Sequence, residues 1–146
     1  MRILYMLMAF GAGMFLPVQT GVNMRLGGVL GGALPAALVS FLVGTLGLLG
    51  VIVAVRHPAP AWADMASAPW WAWFGGLMGA YFVASVIVIG PRLGAGTLAA
   101  VVVAGQVAAS LVFDHYGLLG FPQIVLDTKR FVGAALLVAG VVLIRS

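Results

Sequence analysis

Long charge-free runs of apolar residues dominate the chain, and short polar stretches separate them. A helix that crosses a bilayer needs roughly 20 mainly apolar residues, and four of the five runs are at least that long. The fifth has 14 residues, but the arginines at its two ends can reach toward opposite interfaces. The runs cover residues 3–24, 26–55, 65–91, 93–113 and 131–144.

This pattern predicts an all-α membrane protein with five transmembrane helices in a single transmembrane domain, residues 1–146. The turn-forming sequence GPRLGAG at 90–96 separates the third and fourth helices, and an apolar, Gly/Pro-interrupted connection at 115–127 precedes the fifth. Asp127 is a candidate N-cap for that last helix. The predicted helices cover about 3–22, 34–55, 70–90, 97–114 and 128–145.

Composition supports membrane insertion and excludes several function classes. The chain is 64% hydrophobic and 7% charged, whereas a soluble domain carries about 25% charged residues. The net charge of +4 is not concentrated in a polybasic cluster, so nucleic acid is not expected as a partner. There is no cysteine, and two histidines with three acids suggest no metal site. No Walker A, G-x-S-x-G or H-E-x-x-H pattern is found, so we predict neither a cofactor nor an enzyme.

The basic residues are nearly balanced between the two sides of a five-span topology. Orientation normally follows an excess of Lys and Arg on the cytoplasmic side, and a count of four against three gives almost none. The chain could therefore insert in both orientations, or a single charge could fix one of them. If Arg25 is functional, the count becomes four to two and favours an N-inside orientation. The N-terminal side carries Arg2, Arg56, Lys129 and Arg130, and the opposite side Arg25, Arg92 and Arg145.

Four segments of the chain are distinctive as a set: PVQTGVN, WWAWFGGLMGAYFV, LGAGTLAAVVVAGQVAASLVFDHYGLLGFP and GAALLVAGVVLI, of which residues 70–122 contain the most specific part. Together they resemble the small YdcZ-like branch of the drug/metabolite transporter superfamily. The resemblance implies a multi-pass protein of the bacterial inner membrane. It also implies a five-helix half-transporter that works as an inverted, antiparallel dimer and moves a small metabolite or amphipathic compound.

One departure from a neighbouring branch limits the mechanism. Small multidrug-resistance exporters exchange protons for cations through a glutamate in their first helix. Because this sequence contains no glutamate, exchange by that route is not available here. The family resemblance indicates a class of transporter but no substrate. Three alternatives stay open: an antiparallel homodimer, a heterodimer with an oppositely oriented homologue, and a non-transporting membrane scaffold or accessory subunit.

A few polar side chains within the apolar runs are candidates for the substrate path. Each could instead join two helices by a hydrogen bond or simply pack. In each pair the residues are four apart, which places them on one helical face. Gln106 has the deepest large polar side chain of the set, since it lies near the middle of the fourth predicted helix. The pairs are Gln19 with Asn23, Tyr81 with Ser85, and Gln106 with Ser110.

Three further residues are candidates for charge or proton coupling. Arg25 could attract an anionic substrate to the mouth of the path, or it could be an ordinary interfacial arginine. Asp114 and His115 form an acid–imidazole pair at the end of the fourth helix, and both can titrate. The simpler interpretation is a polar helix end, because adjacent residues on a helix do not face each other.

Overall fold

The structure, a computed structural model, describes residues 1–145. Every regular element in this part of the chain is helical, which confirms the all-α prediction. Two short 3₁₀ turns, Trp70–Trp73 and Leu118–Gly120, accompany the helices. The α-helices are α1 (Arg2–Leu30), α2 (Ala33–Ala54), α3 (Trp62–Ser67), α4 (Phe74–Leu93), α5 (Ala95–Tyr116) and α6 (Thr128–Arg145).

Within residues 1–145, four helical segments are long and apolar enough to cross a membrane. They are α1, α2, the stretch Trp70–Leu93 that contains α4, and α5. The 18-residue α6 is not among them, and it carries Lys129, Arg130 and Arg145 at its ends. Four of the predicted spans are therefore supported by length and composition, and the fifth stays a prediction. The single domain over 1–146 also stays a prediction.

Helix α1 is longer than the predicted span of 3–22. It continues through Pro17 to Leu30 and ends at Gly31, whose φ of 79° is the left-handed conformation that glycine adopts readily. The Gly32 N–H closes the end by donating to the Gly27 carbonyl at 2.9 Å. Its 29 residues correspond to about 43 Å, more than the roughly 30 Å of a bilayer core. The polar positions after residue 18 therefore lie inside a helix and not beyond its end.

The connection between α4 and α5 is shorter than the predicted turn at 90–96. Pro91 lies inside α4, and Gly94 alone separates the two helices. Its φ of 76° explains why glycine occupies this position. The predicted turn is too long, because Gly90 and Pro91 continue α4 although both residue types favour helix ends. Sequence reasoning also missed α3, a short helix with Asp64 in its first turn.

The chain forms two compact units, residues 1–92 and the residues from 93 onward. The core of the first unit lies where the second half of α1, the start of α2 and the second half of α4 meet. Partly buried residues, including Met24 and Phe82, pack against it. Most large apolar side chains elsewhere in this unit are exposed, as expected for helices surrounded by lipid. The core side chains are Ala36, Ala37, Val83 and Ile87.

The second unit contains α5, α6 and the residues between them, 117–127, which we call the α5–α6 connection. Helices α5 and α6 pack against each other, and an apolar groove lies along their contact. Small residues on both sides, including Gly96, Ala100 and Gly140, line this groove. The connection folds back onto the end of α5, where the Phe121 ring stacks on that of Phe113 with 6.4 Å between centroids.

Candidate functional site

Asn23 has the most deeply buried polar side chain in the described part of the chain. It lies in α1 and is 4% exposed. Its Nδ2 atom is enclosed and has no hydrogen-bond partner within residues 1–145. Leaving a buried donor unpaired costs about 1–3 kcal/mol. Asn23 therefore holds a buried donor group that no described residue of this chain satisfies.

Close helix packing explains why this amide is buried. Gly27 follows Asn23 by one helical turn, and a Cβ atom at Gly27 would lie 3.3 Å from Cγ2 of Ile87 and 3.7 Å from Cβ of Ala36. Because Gly27 lacks that atom, α1 can approach both neighbouring helices. On α4, Val83 and Ile87 belong to this core, and Val86 and Gly90 are buried too.

The other α1 candidates have different environments from Asn23. Gln19 and Arg25 are both exposed. The spacing of four placed Gln19 and Asn23 on one face, but only Asn23 reaches the part of that face that α2 and α4 cover. Thr20 lies between them and satisfies its hydroxyl within the helix, by donating to the Leu16 carbonyl at 2.9 Å. The structure thus separates Gln19 and Asn23 by burial.

The two α4 candidates also differ in exposure. Tyr81 is 77% exposed. It therefore does not pack in the core of this unit, which was the simpler interpretation of its position. Ser85 is half-buried, next to the buried face of α4. Neither residue has a polar contact that fixes a role for it, so their place in a substrate path stays a prediction.

Gln106 and Ser110 are both exposed on α5. Eleven residues of the helix precede Gln106 and ten follow it, so this amide lies at the middle of α5. Its side-chain amide forms no hydrogen bond with another described residue. An amide at the centre of a membrane helix is unfavourable against hydrocarbon, which offers it no partner. Gln106 therefore marks a face of α5 that needs a polar neighbour.

Asp114 is engaged in an ion pair at the end of α5. Its Oδ2 lies 3.0 Å from Nη2 of Arg130, and both side chains are partly exposed. The Arg130 backbone N–H donates to Oδ1 of Asp127 at 2.8 Å, which confirms Asp127 as the N-cap of α6. Arg130 also donates to the Ile124 carbonyl at 3.5 Å. One arginine thus links the ends of α5 and α6 with the α5–α6 connection.

His115 makes separate contacts with the same connection. Its Nδ1 accepts a hydrogen bond from the Leu126 N–H at 3.2 Å, and its backbone carbonyl accepts one from Nε2 of Gln123 at 3.1 Å. The Ile124 N–H donates to the Asp114 carbonyl at 2.7 Å. Asp114 and His115 do not act on each other, and both fasten the connection. Their part in proton coupling stays a prediction.

Sequence reasoning missed Arg130 and Gln123 as partners of this helix end. They are separated from Asp114 and His115 by an irregular stretch whose path no periodicity reveals. The available signal was electrostatic. The chain has three acids, and one of them, Asp114, is separated from Arg130 only by the short connection between two consecutive helices. Opposite charges at the two ends of so short a connection favour an ion pair. No group of three or more His, Cys, Asp or Glu side chains within residues 1–145 could hold a metal ion.

Comparison with known proteins gives a family and a relative. The family model described as "Putative inner membrane exporter, YdcZ" matches residues 4–143. The inner membrane protein YdcZ of Escherichia coli (strain K12) is 32% identical over 129 residues, which cover 88% of this chain and 86% of that protein. No solved structure matches the chain.

Proposed function

The chain belongs to the YdcZ family and is an integral, multi-pass inner-membrane protein, and from this premise we propose that it is a secondary transporter. Its cargo would be a small metabolite or an amphipathic compound, and its working form an antiparallel dimer of five-helix subunits. The family's printed description as exporters supports the transporter class. The observation that carries the rest is Gln106, a polar side chain exposed at the middle of α5.

The single chain leaves polar groups without partners where lipid cannot supply them. Gln106 and Ser110 are exposed on α5, and the buried Asn23 amide is unpaired. Because hydrocarbon neither donates nor accepts hydrogen bonds, these groups favour a second subunit or a polar substrate as their neighbour. Secondary transporters commonly bind substrate near the midplane, between inverted repeats. One copy of this chain provides one such repeat.

The proposed five-helix subunit needs a fifth span, and we assign that span to α6. Its 18 residues correspond to about 27 Å, slightly less than a bilayer core. Lys129 and Arg130 at one end and Arg145 at the other can extend their charges to the two interfaces. With α6 inserted, the basic residues divide four to three, a balance that permits both orientations.

The proposed path lies between the two copies. Gln106 and Ser110 would face it at mid-depth, and Asn23 is a further candidate for a substrate contact. The remaining candidates, on α1, α4 and at the end of α5, would line the mouths or take part in coupling. They are Gln19, Arg25, Tyr81, Ser85, Asp114 and His115.

Transport by the purified protein in liposomes tests the function. A panel of metabolites and amphipathic compounds would be assayed with and without a pH gradient. Gln106→Leu should abolish uptake of a transported compound. Thr45→Val is the matched control, because the Thr45 hydroxyl already donates to the Phe41 carbonyl at 2.8 Å within α2. Normal transport by Gln106→Leu would contradict the proposed path. A lack of any transport with an assembled protein would favour the scaffold alternative.

Orientation is tested by shifting the charge balance. Replacing Arg2, Arg56 and Lys129 by alanine leaves one base on the N-terminal side against three, and Arg92→Ala with Arg145→Ala leaves four against one. Reporters fused at the C-terminus should show that each of these two variants inserts in one orientation. Each should be inactive alone, and co-expression should restore transport. Activity of either variant alone would refute the antiparallel homodimer. A single orientation of the unaltered chain would instead favour the heterodimer.

A further inference from the structure

We propose that α5 packs antiparallel against α5 of a second copy, with the Gln106 amides of the two subunits hydrogen-bonded to each other at the two-fold axis. This inference rests on the antiparallel dimer proposed above and names the contact that holds it together. In the dimer without substrate the two amides would satisfy each other, and a polar substrate would replace that contact in the path. The surface concerned is the α5 face that carries the exposed Gln106 and Ser110 and the half-buried Val102.

Depth in the membrane selects Gln106 for this contact. Two oppositely oriented copies are related by an axis that lies in the plane of the membrane. Only residues at the level of that axis can meet their own counterparts, because all others are carried to the opposite depth. Gln106 is at the middle of the 22-residue α5. Gln19 of α1 is exposed too, but it lies three residues past the middle of its helix. Its counterpart in the second copy would therefore be displaced by about 9 Å along the helix direction.

The chemistry of the side chain favours a second copy as the neighbour. A carboxamide contains both donors and an acceptor, so two of them can satisfy each other, and the surface complements itself. Lipid tails offer neither donors nor acceptors. Interhelical hydrogen bonds in membranes contribute about 0.6 kcal/mol on average, so the pair would set the register while packing supplies most of the affinity.

The neighbouring residues permit a close approach of two helices. Gly105 precedes the amide, and a Cβ atom there would meet nothing within 4 Å. Ala109 is exposed on the adjoining turn. Small residues let helix backbones approach in lipid, where no hydrophobic force draws them together. Antiparallel pairing also sets the two helix dipoles in opposite directions, which is favourable.

The proposed contact defines a register. Residues whose numbers add to 212 face each other across the axis, so Val102 meets Ser110 of the partner subunit. By contrast, the two copies of position 110 are displaced by eight residues along the helices, or about 12 Å. A parallel pair would instead bring every position of this face next to its own copy.

Cysteine cross-linking reads this register directly, because the chain has no cysteine. A disulfide needs Cα atoms within about 7 Å. In oxidised membrane vesicles, Gln106→Cys should form covalent dimers. Val102→Cys and Ser110→Cys should each remain monomeric alone and form dimers when co-expressed, with Gln106 intact in both chains. Ala108→Cys is the depth-matched control: it is exposed but lies on the opposite face of α5, so no dimer is expected.

Three results would overturn the inference. Efficient cross-linking of Ser110→Cys alone would indicate parallel packing. Equal cross-linking of Ala108→Cys and Gln106→Cys would indicate random collisions. Absence of the Val102–Ser110 cross-link in a protein that is dimeric, active and inserted in both orientations would refute the α5 contact and leave the proposed function intact. A single orientation in the reporter assay would mark the failure of the antiparallel dimer itself.

Discussion

Adding a side chain at Gly27 should destabilise the first unit, whereas the same change at Gly28 should not. Both glycines lie near the end of α1, and they differ in what surrounds them. A Cβ atom at Gly27 would lie 3.3 Å from Cγ2 of Ile87 and 3.4 Å from the Gly32 carbonyl oxygen. At Gly28 it would meet nothing within 4 Å. The matched variants are Gly27→Leu and Gly28→Leu.

The magnitude follows from the difference between the two sites. Leucine forms helices more readily than glycine, and this contribution of up to about 1 kcal/mol is common to both variants. Overpacking a closed contact typically costs 1–3 kcal/mol, and at Gly27 one of the obstructing atoms belongs to the backbone of the α1–α2 turn and cannot rotate away. The free energy of unfolding of Gly27→Leu should therefore be about 1–3 kcal/mol below that of Gly28→Leu.

Thermal unfolding in detergent micelles measures this difference. For a chain of about this size, 1 kcal/mol shifts the Tm by roughly 2–4 °C, so Gly27→Leu should unfold about 2–12 °C below Gly28→Leu. Gly27→Ala should unfold at a higher temperature than Gly27→Leu, because its single added carbon requires Ile87 to yield by only a few tenths of an ångström. Equal Tm values for the two leucine variants would refute the close approach of α1 to α2 and α4.

Further predictions concern the end of α5 and the start of α6. Asp127→Ala removes the N-cap of α6 and should lower the free energy of unfolding by about 1 kcal/mol, and with it the Tm. Asp64→Ala breaks no described hydrogen bond and should leave the Tm unchanged. Equal changes of Tm in the two variants would contradict the cap. Asp114→Asn removes the ion pair with Arg130 and should speed hydrogen exchange in the α5–α6 connection by up to about fivefold, and an unchanged exchange rate would show that the pair contributes nothing. Gly117→Ala places a side chain at φ 62°, with its Cβ 3.3 Å from Cβ of Gln123, so it should lower the Tm by several degrees; a Tm at or above that of the unaltered protein would contradict this geometry.

Local patterns in the sequence were sufficient for several features. Charge-free runs of bilayer length located four apolar helices, because a lipid-facing helix must be apolar on nearly every side. Asp127 could be identified as an N-cap since capping depends on residues only three positions apart. The family resemblance was also legible in the sequence, and the matches over residues 4–143 confirm it.

Features that depend on several helices were decided only by the tertiary structure. The sequence placed Gln19 and Asn23 on one face, yet only Asn23 is buried, because burial depends on where Ala36 and Ile87 approach α1. Membrane helices show little apolar–polar periodicity, so the sequence does not reveal which face is covered. The pairing of Asp114 with Arg130 likewise depended on how an irregular connection folds back. Amino-acid chemistry thus determined what enters the membrane, and packing determined which polar groups remain without partners.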